Sequence, residues 1–518
     1  MSEKIKAFLK KYSVFIIIVL LIAAIITVTI LVTNYNAKYN YYELVQTKYT
    51  KPEDSFSNVF TTTNNGYPSS GEDVDRLTSV LPSFEQQQFL DLQYFAMFNY
   101  GMHTLNGKQT SSGTEDPKSF NPTKIDMRQW FETLKSAKVN VAILKAKDDD
   151  GFCLWQTDTT EHSIKNASYM SGSADLVREF RLFTESYNMQ LGLYYSLYDK
   201  NATSYGTDAY NDYVVEQLTE LTNKDVYDAV SYIFIDDIYG PNVDSSFTYD
   251  YERYINALRE GPQLTMAIGF RNYVSDVVLI GDSVSDLADN IWNVVDQTNP
   301  DPRKGTREDL SQSSNLTFIA PQLSVNLRSK PYYDAYDKPK SLDSLTQLYF
   351  KSVGYNTSFM LVLQPNSSGV LDDADVKRLE EFGEIISRSK KTMVTPTKLR
   401  TVTASSSMEN PDMLTLTTDS TNSFVFPESV SILEFEFSVK TSFGRIDLRE
   451  NLENKTPVVE KYEIWVYNDG WKLIADRGNI GYQSVIMLKK TPKTFRARIV
   501  IKQARGVPDL RCVLFYEK

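Results

Sequence analysis

The stretch AKDDDGFCLW, residues 146–155, sets three consecutive aspartates behind the apolar run VNVAILKA, and YIFIDD ends in a second acidic pair, Asp236 and Asp237. Carboxylates at strand ends support three kinds of chemistry. Paired across a cleft, they serve as nucleophile and general acid on a glycosidic bond. Gathered around a cation, they are oxygen ligands. Left in a loop, they are a solvated run of charge, and Asp150 is expected to turn back and cap the Gly151-Phe152 turn. Only two histidines exist, His103 and His162, too few and too isolated for a histidine-based metal site. Cys153 and Cys512 read as buried thiols and cannot form a disulfide framework. Neither a metal nor a cofactor is expected. A net charge of -11 argues against a nucleic-acid partner and fits an ectodomain or a neutral ligand such as a sugar.

The elements around these residues repeat. Short β-branched or aromatic runs occur at FAMFNYG, VNVAILKA, LGLYYSL, VSYIFIDD, LTMAIGF, NLTFIAP and SFMLVLQ. Segments of helical spacing, such as MRQWFETLKSA, ADLVREFRLFTESY and YNDYVVEQLTELTN, lie between several of them. Continuous apolar strands alternating with helices predict an α/β fold, a (β/α)-barrel over residues 85–392, whose chemistry sits where strands run into loops. Those ends carry Asn99, the aspartates 148–150, Ser196 to Asp199 and Asp236. Beyond DADVKRLEEFGEIIS the texture changes to alternating strands, with Asn468-Asp469-Gly470 as a turn signal, and predicts an antiparallel β-sandwich over 397–518.

At the N-terminus, Val14 to Thr33 carries no charge, enough to span a hydrocarbon core of roughly 30 Å as a helix. Lys4, Lys6, Lys10 and Lys11 precede it, so residues 1–13 are expected in the cytoplasm and the bulk of the chain outside or in a lumen. A cleaved signal peptide is the rival reading, although its apolar region would be shorter. Residues 34–84 read as a polar stalk that ends in a short helix. Six N-x-[ST] sequons, from Asn166 to Asn454, offer glycosylation sites.

From residue 85 onward the chain resembles the α-L-fucosidases of glycoside hydrolase family 29, in particular the branch with 1,3/1,4-linkage preference. TEDPKSFNPTKIDMRQW, AKDDDGFCLW, TEHSIKNASY, YIFIDD and YFKSVGYNTSFMLVLQPNSSG carry the likeness in order. FGRIDLREN, GNIGYQSVIML and RARIVIKQARGVPDL resemble the family's galactose-binding-like sandwich. The resemblance implies a retaining hydrolase with Asp236 as nucleophile, fucosylated or related glycans as partners, and Lys147, Trp155, Tyr194, Trp292 and Arg328 among the glycan-binding residues. It also exposes departures. The acid/base glutamate of the family falls on Ser283, with Asp282 beside it, and sugar-binding histidines fall on Asn99, Asp148 and Asp149. A serine hydroxyl is far too weak an acid to protonate a leaving group.

Three readings follow. The chain is a weakly active or inactive homologue that acts by binding glycans, or an active glycosidase with a relocated acid/base. The third is a calcium site built from Asp148, Asp149, Asp150 and Asp236, against which stands the expectation that consecutive aspartates do not all converge.

Overall fold

Strands β1 (Tyr94–Phe98), β2 (Val141–Lys147), β3 (Gln190–Ser196) and β4 (Val230–Asp236) pair in parallel in sequence order. They continue through β5 (Met266–Ile268) and β6 (Val277–Leu279); a small antiparallel hairpin, β7 (Val294–Asp296) with β8 (Leu316–Phe318), then stands outside. β9 (Ala320–Asn326) and β10 (Ser358–Leu363) return to β1 and close an eight-stranded barrel in the order β1-β10-β9-β6-β5-β4-β3-β2. This is the computed structural model of the chain. It describes residues 71–517, and Thr27 alone before them, except 228–229, 242–245, 260–265, 269–275, 289, 396, 405–422, 427 and 429–430. The expected cytoplasmic tail, the membrane-spanning segment 14–33 and the stalk up to residue 70 lie outside the described residues, Thr27 aside. Among the described residues no helix is long and apolar enough to cross a membrane.

The strands alternate as a barrel requires. Phe95, Met97, Val141, Ile143, Tyr232, Phe234, Met360 and Val362 pack together in the lumen, whereas Phe98, Leu144, Ala146, Leu193 and Tyr195 face the helices. The helix Met127–Ala137 shows why those helices form. Asp126 caps it by accepting from Gln129 N, and Trp130, Phe131 and Leu134 recur at the spacing that puts them on one buried face. The last barrel helix, Asp373–Lys391, crosses it at Gly383, where a Cβ would stand 1.9 Å from Ser136 O. Only glycine permits that approach.

Two differences from the sequence reading have simple causes. NLTFIAP supplies the hairpin strand β8, and the barrel strand follows at Ala320–Asn326; the three-residue β6 is too short to show a period. The short helix expected at the end of the stalk, Glu72–Thr78, is docked on the barrel, so residues 71–84 belong to the folded body. Its Leu77 joins Phe89 and Phe95, and Arg76 donates to the carbonyls of Ser313 (2.8 Å) and Leu310 (3.0 Å). The next helix, Phe84–Leu92, starts with a reciprocal cap between Ser83 and Gln86.

The C-terminal strands form two antiparallel sheets. One contains β11 (Leu399–Ala404), β13 (Ser431–Ser442), β15 (Val459–Tyr467), β16 (Trp471–Arg477) and β18 (Lys493–Ala504); the other contains β12 (Phe424–Val425), β14 (Arg445–Glu450), β17 (Ser484–Met487) and β19 (Asp509–Tyr516). Leu433, Phe435, Phe437, Ile446, Ile499 and Phe515 fill the layer between them. The turn between β15 and β16 has Asp469 at φ 54° and Gly470 at φ 119°, as its sequence predicts.

Candidate active site

The site assembles at the C-terminal ends of the barrel strands. Alternation carries Val141 and Ile143 on to Lys145, and Tyr232 and Phe234 on to Asp236, so both polar groups reach the mouth. Tyr194, from β3, donates its hydroxyl to Asp236 Oδ2 at 2.7 Å. Burial first, and Asp236 second, push the Tyr194 phenol well above its ordinary value, so the hydroxyl stays a donor. Ile238 N completes the hold on Asp236 from 3.3 Å.

Above this pair lies the aspartate run. Gly151 N donates to Asp148 O (3.0 Å), and the resulting turn swings the carboxylates around His103. His103 Nε2 stands 3.0 Å from Asp149 Oδ1, 3.6 Å from Asp150 Oδ2 and 3.9 Å from Asp148 Oδ2. Lys145 Nζ lies 3.0 Å from Asp148 Oδ2, and Lys200 Nζ 2.6 Å from Asp149 Oδ2. As the sequence suggests, Asp150 Oδ1 accepts from Phe152 N at 2.8 Å.

The electrostatics follow from these contacts. Burial alone would raise the Asp148 carboxyl, but Lys145 and then His103 outweigh it and hold the group below the usual carboxylate range. Asp149 is likewise held low against burial, by His103 and Lys200. Asp150 has no ammonium partner among the described residues; burial, then Asp148, raise it. Burial would lower His103, yet Asp149 and then Asp148 lift it above the ordinary histidine value.

A segment from the far side covers this cluster. Tyr332 stacks on His103 with ring centroids 4.2 Å apart and planes at 6°, and its hydroxyl donates to Asp148. Asn99 Nδ2 donates to Pro331 O (2.7 Å) and Gln364 Nε2 to Lys330 O (3.2 Å). Ser283, where the resemblance leads one to expect the acid/base, lies in a loop closed by Asp286, whose Oδ2 accepts from Asp282 N (3.0 Å), Ser283 N (2.9 Å) and Ser283 Oγ (2.8 Å). Against some desolvation, the Ser283 hydrogen bonds depress the Asp286 carboxyl, which keeps it ionised.

Asn99, Asp148, Asp149, Tyr194 and Asp236 thus gather at one mouth, while four expected glycan ligands do not. A bulge in the β2–β3 pairing between Lys145 and Lys147 turns Lys147 outward. There its buried ammonium meets Tyr195 Oη (2.9 Å), Asp199 Oδ2 (3.1 Å) and Gln217 Oε1 (3.2 Å). Trp155 is fully buried and donates to Glu220 Oε2 (2.9 Å). Trp292 packs against Gly305 and under the Arg505 guanidinium (5.0 Å), where the sandwich meets the barrel. Arg328 is buried against Asp375 (2.9 Å) and Asp372 (2.9 Å) and binds the carbonyls of Asp334 (3.1 Å) and Asp337 (2.6 Å), anchoring the segment that carries Tyr332.

His103, Lys145, Lys200 and Tyr332 escaped the sequence reading. Lys145 is signalled by the alternation of Val141 and Ile143; the others come from a short helix and two loops distant in sequence and give no local signal.

The comparisons agree with this architecture. The chain is 26% identical over 445 residues to Alpha-L-fucosidase 1 of Arabidopsis thaliana, covering 83% of this chain and 86% of that protein. The crystal structure of SpGH29 superposes with a TM-score of 0.76 at 25% identity, over 85% of this chain and 98% of that one. A GH29 fucosidase of Ruminococcus gnavus, solved in complex with fucose, shares the fold with a TM-score of 0.76 at 20% identity, over 88% and 98% of the two chains. The family model for Alpha-L-fucosidase matches residues 67–391, and the chain belongs to the α-L-fucosidase family.

Proposed function

We propose that the chain is a membrane-anchored, glycan-recognising member of the family, of the 1,3/1,4-linkage branch, with its bulk outside the cell or in a lumen and with little or no hydrolytic power. One observation carries this reading. Beside the exposed Asp282, the loop where the resemblance places the acid/base joins Ser283, a hydroxyl that cannot release a proton at neutral pH, to Asp286, a carboxylate kept ionised by three hydrogen bonds from its own loop. Neither protonates a leaving oxygen. The pairing of Asp148 and Asp149 with Lys145, His103 and Lys200 supports it further, because those carboxylates replace neutral hydrogen-bond donors with a charge-neutralised cluster. Binding falls to fucosylated or other glycans, whose hydroxyls meet Tyr194, Asp236 and the solvent-exposed side of Asp149, beside its contacts with His103 and Lys200.

A second reading rests on Asp236 itself. It stands at the end of β4 with the Tyr194 hydroxyl on one oxygen, as a retaining nucleophile would, and an acid from another loop would complete the reaction. Hydrolysis of a fluorogenic α-L-fucoside by the purified full-length chain separates the two. The expected result is a rate that Asp236→Asn leaves within a few-fold, with glycan-array binding retained. Turnover that Asp236→Asn abolishes overturns the binding reading, and absence of any array signal removes its ligand.

A further inference from the structure

We infer that His103, Asp148, Asp149 and Asp150 form a binding site for a divalent transition-metal ion at the barrel mouth. The acidic run was not expected to converge, yet its turn brings Asp149 Oδ1, Asp150 Oδ2 and Asp148 Oδ2 to 3.0, 3.6 and 3.9 Å from His103 Nε2. Donor atoms of His103, Asp148 and Asp149 all fall within 4.8 Å of one another. Ligands held about 2.0–2.2 Å from a zinc-sized ion stand roughly 3–3.6 Å apart, close to two of the three spacings from Nε2.

The independent observation is Asp150. Its side chain is 1% exposed; Oδ1 accepts from Phe152 N, while Oδ2 has no hydrogen-bond partner among the described residues and points to the same imidazole nitrogen. A buried carboxylate oxygen without a donor is costly, and a cation at this point satisfies it. The surroundings allow one. Lys200 holds Asp149 by Oδ2, leaving Oδ1 for the ion. Lys145 and the Tyr332 hydroxyl both contact Asp148 Oδ2 itself, and on giving way to the ion Lys145 keeps the ring faces of Tyr194 (4.5 Å) and Tyr332 (5.1 Å). Three carboxylates against two ammonium groups leave one net negative charge when the imidazole is neutral. The Tyr332 stack fixes the imidazole plane. One imidazole nitrogen with three carboxylate oxygens suits Zn²⁺ or Mn²⁺ and disfavours Ca²⁺, which takes an all-oxygen shell. Asp236, engaged by Tyr194, is not among the ligands.

The test uses the untagged full-length chain, stripped with chelator and titrated with ZnCl₂ or MnCl₂ by calorimetry and thermal unfolding. One equivalent is expected to bind and raise the unfolding midpoint, while CaCl₂ leaves it unchanged. Asp149→Asn, at a partly exposed position, keeps the fold and weakens binding at least about tenfold. The bound Mn²⁺ should show a nitrogen hyperfine coupling that His103→Gln removes and His162→Gln retains, these being the two histidines of the chain. Folded wild-type protein that binds neither ion at millimolar concentration overturns the inference. So does binding that Asp149→Asn leaves unchanged, or a nitrogen coupling that survives His103→Gln.

Discussion

The barrel mouth and the outer face of the sandwich both bury carboxylates among cations, and they do so by opposite means. In the sandwich, Glu434 on β13 lies opposite Arg498 on β18, and Arg496 is two residues away on the same face. Arg496 Nη2 (2.8 Å) and Arg498 Nε (2.7 Å) grip the two oxygens of Glu434 under the ring of Trp471. The strand ladder imposes that geometry before any side chain moves. At the mouth, the partners of Asp148 and Asp149 come from a short helix, a strand end and two loops, at positions 103, 145, 200 and 332. The first cluster is therefore framework and the second is adjustable, which is the property a ligand site needs.

The largest expected effect breaks the rigid side. Glu434→Ala removes the shared carboxylate from two arginines that are almost completely buried, and about 3–5 kcal/mol of stability should go with it in urea unfolding. A loss below about 1 kcal/mol would show that the sandwich cluster is as adjustable as the mouth.

Next comes a carboxylate of the sandwich with no such grip. Glu450 accepts from the backbone amides of Val458 (2.6 Å), Val459 (3.1 Å) and Gly481 (2.9 Å), and burial nevertheless lifts it from 4.5 to about 7. The native state therefore binds the proton more tightly than the unfolded chain, and stability falls as pH rises through the window from 4.5 to about 7. The contribution is on the order of 3 kcal/mol across that window. Comparing urea midpoints of the wild type and Glu450→Gln between pH 4.5 and 7.5 measures it, and parallel curves would refute it.

These two sites also show what was legible beforehand. The ladder that pairs Glu434 with Arg498 follows from alternation in ILEFEFSV and FRARIVIKQA, so the sandwich reads from its period. Most of the barrel reads from continuous apolar strands, down to Asp236 at the end of YIFIDD, while β6 and β9 do not. The mouth does not. A single bulge after Lys145 reverses Lys147, and no period announces it. His103 looks isolated because its partners lie 46 residues away in sequence. Trp155, Trp292 and Arg328 sit in recognisable motifs, but a motif does not say whether an aromatic or a guanidinium faces a ligand or a neighbouring helix. Burial decides that, and burial is tertiary.

A smaller change sharpens the mouth itself. Tyr332→Phe keeps the ring on His103 and deletes the hydroxyl that serves Asp148 and Lys145 (3.3 Å). The expected cost is about 2 kcal/mol, the range for a hydrogen bond to a charged group. A cost near zero would mean that solvent or Lys145 replaces the hydroxyl.

The smallest effect is expected where the mouth meets water. Lys200 reaches Asp149 at 2.6 Å, but the Asp149 side chain is 33% exposed, and solvent competes for both charges. Lys200→Ala should therefore cost less than about 1 kcal/mol, and added salt should shrink the difference further. Asp149 would keep His103 on its other oxygen, so the cluster should survive with one more net negative charge, and cations should bind there more readily than in the wild type. Measuring the unfolding midpoint and Mn²⁺ affinity on the same variant joins the two expectations. A large loss of stability with unchanged affinity would place Lys200 with the rigid ion pairs of the sandwich and remove the distinction drawn between the two regions.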